Sequence, residues 1–197
     1  MTEKVYIGGD MLTKAGQLLR TKEREEIKSL GYDFYNPMEN KNVNDKANLD
    51  NNDGLAEKIV AQDTEGIRES DYIIMEPLSS ACGTMVELGQ IKGMKDLAQD
   101  IVDVVFDEDD KDKSAYDKAD YQVIVNNIVE LCDKILNQKV YPHYEDVRRF
   151  PGCEEKEDRR AWGVNQYVYG VCLDLTGGKG FYDWNEIVDE LKKSKEI

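Results

Sequence analysis

Apolar and polar positions alternate along the chain in blocks whose period changes from segment to segment. "KVYIGG" (4–9) is a short apolar run closed by glycines, the pattern of a buried strand feeding a tight turn. Residues 13–30 set Leu18, Leu19, Ile27 and Leu30 among charges, which predicts a helix, and Gly31 fits its C-terminal stop. "YDFYNP" (32–37) reads as a second strand ended by Pro37, and the Asn- and Asp-rich stretch 38–53 as a long loop. Residues 54–70 read as a helix with Ile59, Val60 and Ile67 on one face. "DYIIMEP" (71–77) predicts a third strand, followed by a helix from about Gly83 to Leu97. "IVDVVF" (101–106) predicts a fourth strand, and the charged stretch 107–120 a solvated connector or, as the other reading, a metal-binding one. Residues 121–138 form an amphipathic helix with Val123, Ile124, Ile128, Leu131 and Ile135 on one side.

Beyond residue 138 the pattern is less regular. Residues 139–161 read as an excursion, with His143 on a surface loop, and 162–175 fit a helix or a strand. "GGKG" (177–180) is a turn that lacks the "GK[ST]" helix start of a phosphate loop. The final segment reads as a helix with Asp183 as N-cap and lysines in its last turn, where they suit the helix dipole. Strands alternating with helices predict an α/β fold, a doubly wound, flavodoxin- or Rossmann-like parallel sheet with helices on both faces, in a single domain over 1–197. Ligands of such sheets sit beyond the carboxyl ends of the strands. Three segments converge there: Gly8, Gly9 and Asp10 after the first strand, the loop after the second, and the turn from Ser79 to Gly83.

The charge balance narrows the partners. The chain has 197 residues with 41 acidic and 26 basic side chains, a formal charge of −15. Duplex nucleic acid is excluded as a main partner, because that affinity rests on neutralising phosphates with Lys and Arg. A small anionic ligand remains compatible, since backbone N–H groups alone can hold one. Cys82, Cys132, Cys153 and Cys172 form no CxxC pair and the chain has one histidine, so a structural zinc site has no basis; they read as reduced thiols. The first residues lead straight into a strand pattern rather than a signal peptide, and no apolar run approaches the ~18 residues of a membrane span. The expectation is a cytoplasmic protein with no membrane partner.

Two acids stand where the sheet would open. Glu87 lies in the first turns of the helix that follows the third strand, where the helix dipole favours an ionised carboxylate. By position it is an ordinary helix-start acid or, if it faces the crevice, a nucleophile for an anomeric carbon. Asp63 lies on the preceding helix, as a solvated acid or as the second carboxylate of a glycosidase-like pair. Trp162 and Trp184 read as core or interface aromatics.

The ordered strings "VYIGGDM", "DTEGIRESDYII" and "GTMVELG" resemble the nucleoside 2-deoxyribosyltransferase family, with its relatives the nucleotide N-hydrolases. The similarity covers roughly residues 4–106, and more weakly "NQYVYG" (165–170). The resemblance implies that Glu87 is the nucleophile of a covalent deoxyribosyl-enzyme, that Asp63 exchanges a proton with the nucleobase, and that Tyr6 orients Glu87. It also implies that Gly8, Gly9, Asp10 and Gly83 border the substrate, and that Asn165 reaches the sugar in an adjacent subunit of a homo-oligomer. The implied reactants are a deoxynucleoside and a free nucleobase, with no metal or organic cofactor. Two departures stand out. Ala81 occupies the position six residues before the nucleophile where several transferases carry Asp, and the chain closes in a charged helix. Hydrolysis of a 2′-deoxynucleoside 5′-monophosphate and non-catalytic nucleotide binding are the alternatives.

Overall fold

The structure, a computed structural model, describes residues 2–40, 53–106, 119–146, 149 and 163–196. Most of the Asn-rich loop, the 107–118 connector, Cys153 and Trp162 therefore lie outside the described residues. The chain divides into two compact units, Met1–Gly89 with Lys139–Ile197, and Gln90–Gln138.

The first unit is built on β1 (Lys4–Gly8), β2 (Asp33–Tyr35), β3 (Tyr72–Met75) and β4 (Lys139–Pro142), paired in the order β2-β1-β3-β4. All three pairings are parallel. With α1 (Lys14–Ser29), α2 (Leu55–Glu69), the start of α3 (Cys82–Phe106), α5 (Gln166–Leu175) and α6 (Trp184–Lys195), this is the expected α/β fold.

Side chains leave a strand alternately on its two faces. On one face Val5, Ile7, Tyr72, Ile74 and Tyr141 form a core with Ile27 of α1 and Ile187 and Leu191 of α6. Ile187 and Leu191 are fully buried; at roughly 1.5–3 kcal/mol for each such side chain, they anchor the C-terminal helix. The Tyr32 hydroxyl adds a 2.7 Å bond to the Leu191 carbonyl. Trp184 packs at the rim of this core and donates to Glu26 at 2.7 Å. On the opposite face the Tyr35 ring lies against Gly66 of α2, and the Glu87 carboxylate of α3 lies over Gly8.

Three expectations need correction, and one open reading is resolved. Residues 101–106 are the end of α3, not a strand. A six-residue apolar run looks the same in either state, and nothing between Lys95 and Phe106 breaks the helix. The fourth strand is instead Lys139–Pro142, inside the segment expected as an excursion; Pro142 is its last residue, on a strand with one neighbour, where a missing N–H costs nothing. Residues 166–175 resolve as a helix, capped by Asn165. His143 is completely buried rather than on a surface loop.

The buried face of α1 also differs from the apolar reading. It consists of Gly16, Arg20, Glu23 and Ile27, while Leu18 is 71% exposed. The spacing is helical but the face is charged. Arg20 is fully buried, with Nη1 donating to the Gly8 carbonyl at 2.9 Å and Nη2 to Glu23 at 2.7 Å and Glu76 at 2.9 Å. The other Glu76 oxygen accepts the Glu145 N–H at 3.1 Å, and His143 Nε2 lies 3.4 Å from Glu23. This cluster ties together the C-terminal ends of β1 and β3 and the residues after β4.

In the second unit the Lys95 ammonium donates to the carbonyls of Ile135, Leu136 and Gln138 at 2.8–2.9 Å. It thereby satisfies carbonyls that the end of α4 (Ala119–Asn137) leaves without helical partners. Val123, Ile124, Ile128 and Leu131, the apolar side expected for α4, are exposed in this chain. Among the described residues no helix is long and apolar enough to cross a membrane.

Removing one partner of a buried ionic cluster leaves the others uncompensated. Arg20→Met is expected to cost about 3–5 kcal/mol of stability, measured by urea unfolding; a loss below about 1 kcal/mol would show that the cluster does not brace the sheet.

Candidate functional site

The cleft opens at the carboxyl ends of β1 and β3, on either side of which the strand order reverses, the place where α/β sheets bind ligands. It measures about 520 Å³ and is lined by the β1–α1 turn, the start of the Pro37–Glu39 turn, α2 and the start of α3. Asp63 and Glu87 both line it. Asp10, Gly9 and Gly83 do so too, as do Met11, Leu12 and Ser80.

The two glycines after β1 are set by close approach. A Cβ on Gly8 would stand 2.4 Å from Met75 Sδ and 3.3 Å from Glu87 Oε2; one on Gly9 would stand 1.5 Å from Arg20 Nη1. Gly8 thus separates the guanidinium holding its carbonyl from the carboxylate on its other side. Asp10 is buried, and both of its oxygens are used within the turn: Oδ1 accepts the Leu12 N–H at 2.9 Å and Oδ2 the Thr13 hydroxyl at 2.6 Å. These bonds, the Thr13 hydroxyl foremost, hold its pKa below the ordinary aspartate value. Thr13 in turn caps α1 through the Gly16 N–H at 3.0 Å. Asp10 therefore shapes the rim, with Met11 and Leu12 carried on the turn it holds.

Glu87 sits six residues into α3, and burial pushes its pKa up to about 7, with the Asp63 charge adding to the rise and Tyr6 opposing it. The helix dipole was expected to keep this acid ionised, but removal from water outweighs it, since a dipole contributes about 0.3–1 kcal/mol and burial can move a carboxyl by several units. Tyr6 is fully buried beneath it, and its phenol is raised by burial first and then by the charges of Glu87 and Asp63. The Tyr6 hydroxyl faces Glu87 closely enough to favour its charged form, yet falls outside the geometry of a formed hydrogen bond.

Asp63 is buried on α2 and accepts the Tyr35 hydroxyl at 2.8 Å through Oδ1. Burial raises its pKa and this bond opposes the rise. Tyr35 stacks on Tyr6 with ring centroids 5.5 Å apart and planes 9° apart. Gly66 makes this possible, because a Cβ there would meet the Tyr35 ring at 2.8 Å. No sequence signal marks Tyr35; its pairing in register with Tyr6 across β1 and β2 emerges only in the folded sheet.

Asn165 does not line this cleft. Its side chain accepts the Tyr167 N–H at 2.9 Å as the cap of α5, at the surface. Cys82 is exposed at the cleft. Among the described residues no group of His, Cys, Asp and Glu is arranged to hold a metal ion.

The family model described as nucleoside 2-deoxyribosyltransferase matches residues 5–137, and the chain belongs to that family. A conserved protein from Enterococcus faecalis V583, known as a crystal structure, shares the fold with a TM-score of 0.59 over 98% of this chain and 99% of that one, at 18% identity. No curated protein matches the chain.

The raised Glu87 pKa has a signed consequence for stability. Between the unfolded value of 4.5 and about 7 the folded state binds the extra proton, so stability falls as pH rises through this window. Glu87→Gln removes that penalty. It is expected to stabilise the protein by on the order of 1–3 kcal/mol at pH 8 and by much less at pH 5, read from thermal melts at the two pH values.

Proposed function

We propose that the protein is a nucleoside 2-deoxyribosyltransferase, which exchanges the nucleobase of a 2′-deoxyribonucleoside through a deoxyribosyl ester of Glu87. Family membership supports the broader assignment to deoxyribosyl-transferring or N-glycosidic chemistry. The observation that carries the finer reading is the meeting of Asp63 and Glu87, from separate helices, in one cleft where both carboxyl pKa values are raised.

In this reading ionised Glu87 attacks C1′, the C1′–O bond forms and the C1′–N bond breaks. Asp63 gives its proton to the departing base, so the base leaves neutral and Asp63 becomes the carboxylate. The second base then attacks C1′, returns a proton to Asp63 and frees Glu87. Two displacements give net retention and ping-pong kinetics. The missing 2′-hydroxyl eases the oxocarbenium-like transition state, and Tyr6 steadies the Glu87 charge. Gly9, Asp10 and Gly83 would border the reactants, with Asn165 serving the site of a neighbouring copy in a cytoplasmic homo-oligomer.

Ser80 and Gly83 at the α3 N-terminus favour the second reading, hydrolysis of a 2′-deoxynucleoside 5′-monophosphate, since that end of a helix suits a phosphate. Against it, the described lining carries three acids and no Lys or Arg.

Incubation with deoxyinosine and adenine is expected to yield deoxyadenosine and hypoxanthine, whereas free deoxyribose phosphate from a deoxynucleoside monophosphate in water would favour the hydrolase. Glu87→Ala is expected to lower exchange at least ~10³-fold; an active Glu87→Ala enzyme refutes the nucleophile. Because Glu87 must be ionised while Asp63 must carry the proton it gives to the base, kcat/KM of the wild type is expected to pass through a maximum, its acid limb set by Glu87 with a pKa of about 7 and its alkaline limb by loss of the Asp63 proton. A flat pH profile from 5 to 9 on the order of two units either side would contradict that assignment.

A further inference from the structure

We infer that Tyr35 is a positioning residue for Asp63: its hydroxyl hydrogen is committed to Oδ1, which leaves Oδ2 as the oxygen that exchanges the proton with the base. The inference rests on the proposed function for its catalytic meaning, but its geometry stands separately. Asn40 Nδ2 donates to the Tyr35 hydroxyl oxygen at 2.9 Å and also meets Gln62 Oε1. An amide N–H facing the phenol oxygen forces the phenolic hydrogen away from it. The acceptor on the far side is Asp63 Oδ1 at 2.8 Å. A hydroxyl has one hydrogen, so the direction of the whole chain, Asn40 to Tyr35 to Asp63, is set by the amide.

Three features hold the phenol in place. Its ring lies against Gly66, one turn along α2 from Asp63, so that the hydroxyl reaches the carboxylate. The other ring face stacks on Tyr6 at 5.5 Å. Tyr35 also pairs with Tyr6 in the β1–β2 ladder. The titratable groups around Asp63 are Tyr6 from β1, Tyr35 from β2 and Glu87 from α3, with Asp10 and Cys82 elsewhere in the lining. Among the described residues only Tyr35 favours the ionised form of Asp63 by a hydrogen bond. With Oδ1 capped by a donor on a residue that lines the cleft, the remaining oxygen makes a one-proton shuttle: Oδ2 releases its proton to the leaving base and recovers one from the incoming base.

Tyr35→Phe keeps the ring and removes the hydroxyl. The Asp63 carboxyl is titrated by carbon-detected NMR in the wild type and the variant. The expected result is a rise of at least about half a pKa unit in Tyr35→Phe. Asn40→Asp, which replaces the donor with an acceptor and draws the phenolic hydrogen away, is expected to shift Asp63 the same way, and carries the test if Tyr35→Phe does not fold. An unchanged Asp63 titration in the folded variants overturns the inference, whatever happens to activity. In base exchange, Tyr35→Phe is expected to lower kcat about 10-fold with KM nearly unchanged, and most for the poorest leaving bases. An equal loss for all bases overturns the positioning role. A shifted titration together with a fully active Asp63→Asn enzyme would instead remove the proposed function and leave the Tyr35–Asp63 link standing.

Discussion

A single guanidinium with no access to water holds the working end of this sheet together. Arg20 reaches from α1 to the last carbonyl of β1 and to Glu76 just past β3, the two adjacent strands at which the order reverses. Its charge is balanced by Glu23 and Glu76, and burial still leaves Glu23 with a raised pKa. Ion clusters of this kind add little net stability over apolar packing, but they have only one satisfied arrangement. Here that arrangement holds the Gly8 carbonyl and packs Gly9 against the guanidinium, while the Glu87 carboxylate lies over Gly8. The strand end that Glu87 faces is thus held by a residue absent from the cleft lining.

The cleft itself is assembled against electrostatic preference. Asp63 and Glu87 are both brought out of water, burial raises both carboxyl pKa values, and the Asp63 charge adds to the rise at Glu87. Tyrosines offset part of these rises, Tyr35 by a formed bond to Asp63 and Tyr6 by facing Glu87. The stacking of the two phenols makes them one rigid plate beneath the pair of acids. Burial that pushes the Glu87 pKa up to about 7 leaves one of the two acids titrating near neutrality, a feature that concentrates at functional sites.

Much of this was legible in the chain. The first three strands announce themselves as apolar runs between turn residues, and the helices between them by their period. The acids Asp63 and Glu87 were marked by their strings rather than by periodicity, which treats both as ordinary helix-surface residues. What was not legible depends on tertiary contact. "IVDVVF" continues a helix because nothing stops it, while "KVYP" is a strand because β3 offers an open edge. The inner face of α1 reads as solvent-facing because Arg20 and Glu23 are charged, and only their mutual pairing lets them be buried. His143 is buried because it directly follows β4, a strand that the pattern of residues 139–161 does not show. Tyr35 becomes significant only once Gly66 lets its ring settle on α2.

The turn shaped by Asp10 leaves Leu12 87% exposed at the cleft. Both Asp10 oxygens are spent on holding that turn, one of them on the Leu12 N–H itself. Met11, Pro37, Met38 and Ile59 extend the apolar part of the lining. A flat aromatic ligand that covers this surface would release the water ordered over it. Its association would carry a negative heat-capacity change, so its enthalpy would become more favourable as temperature rises.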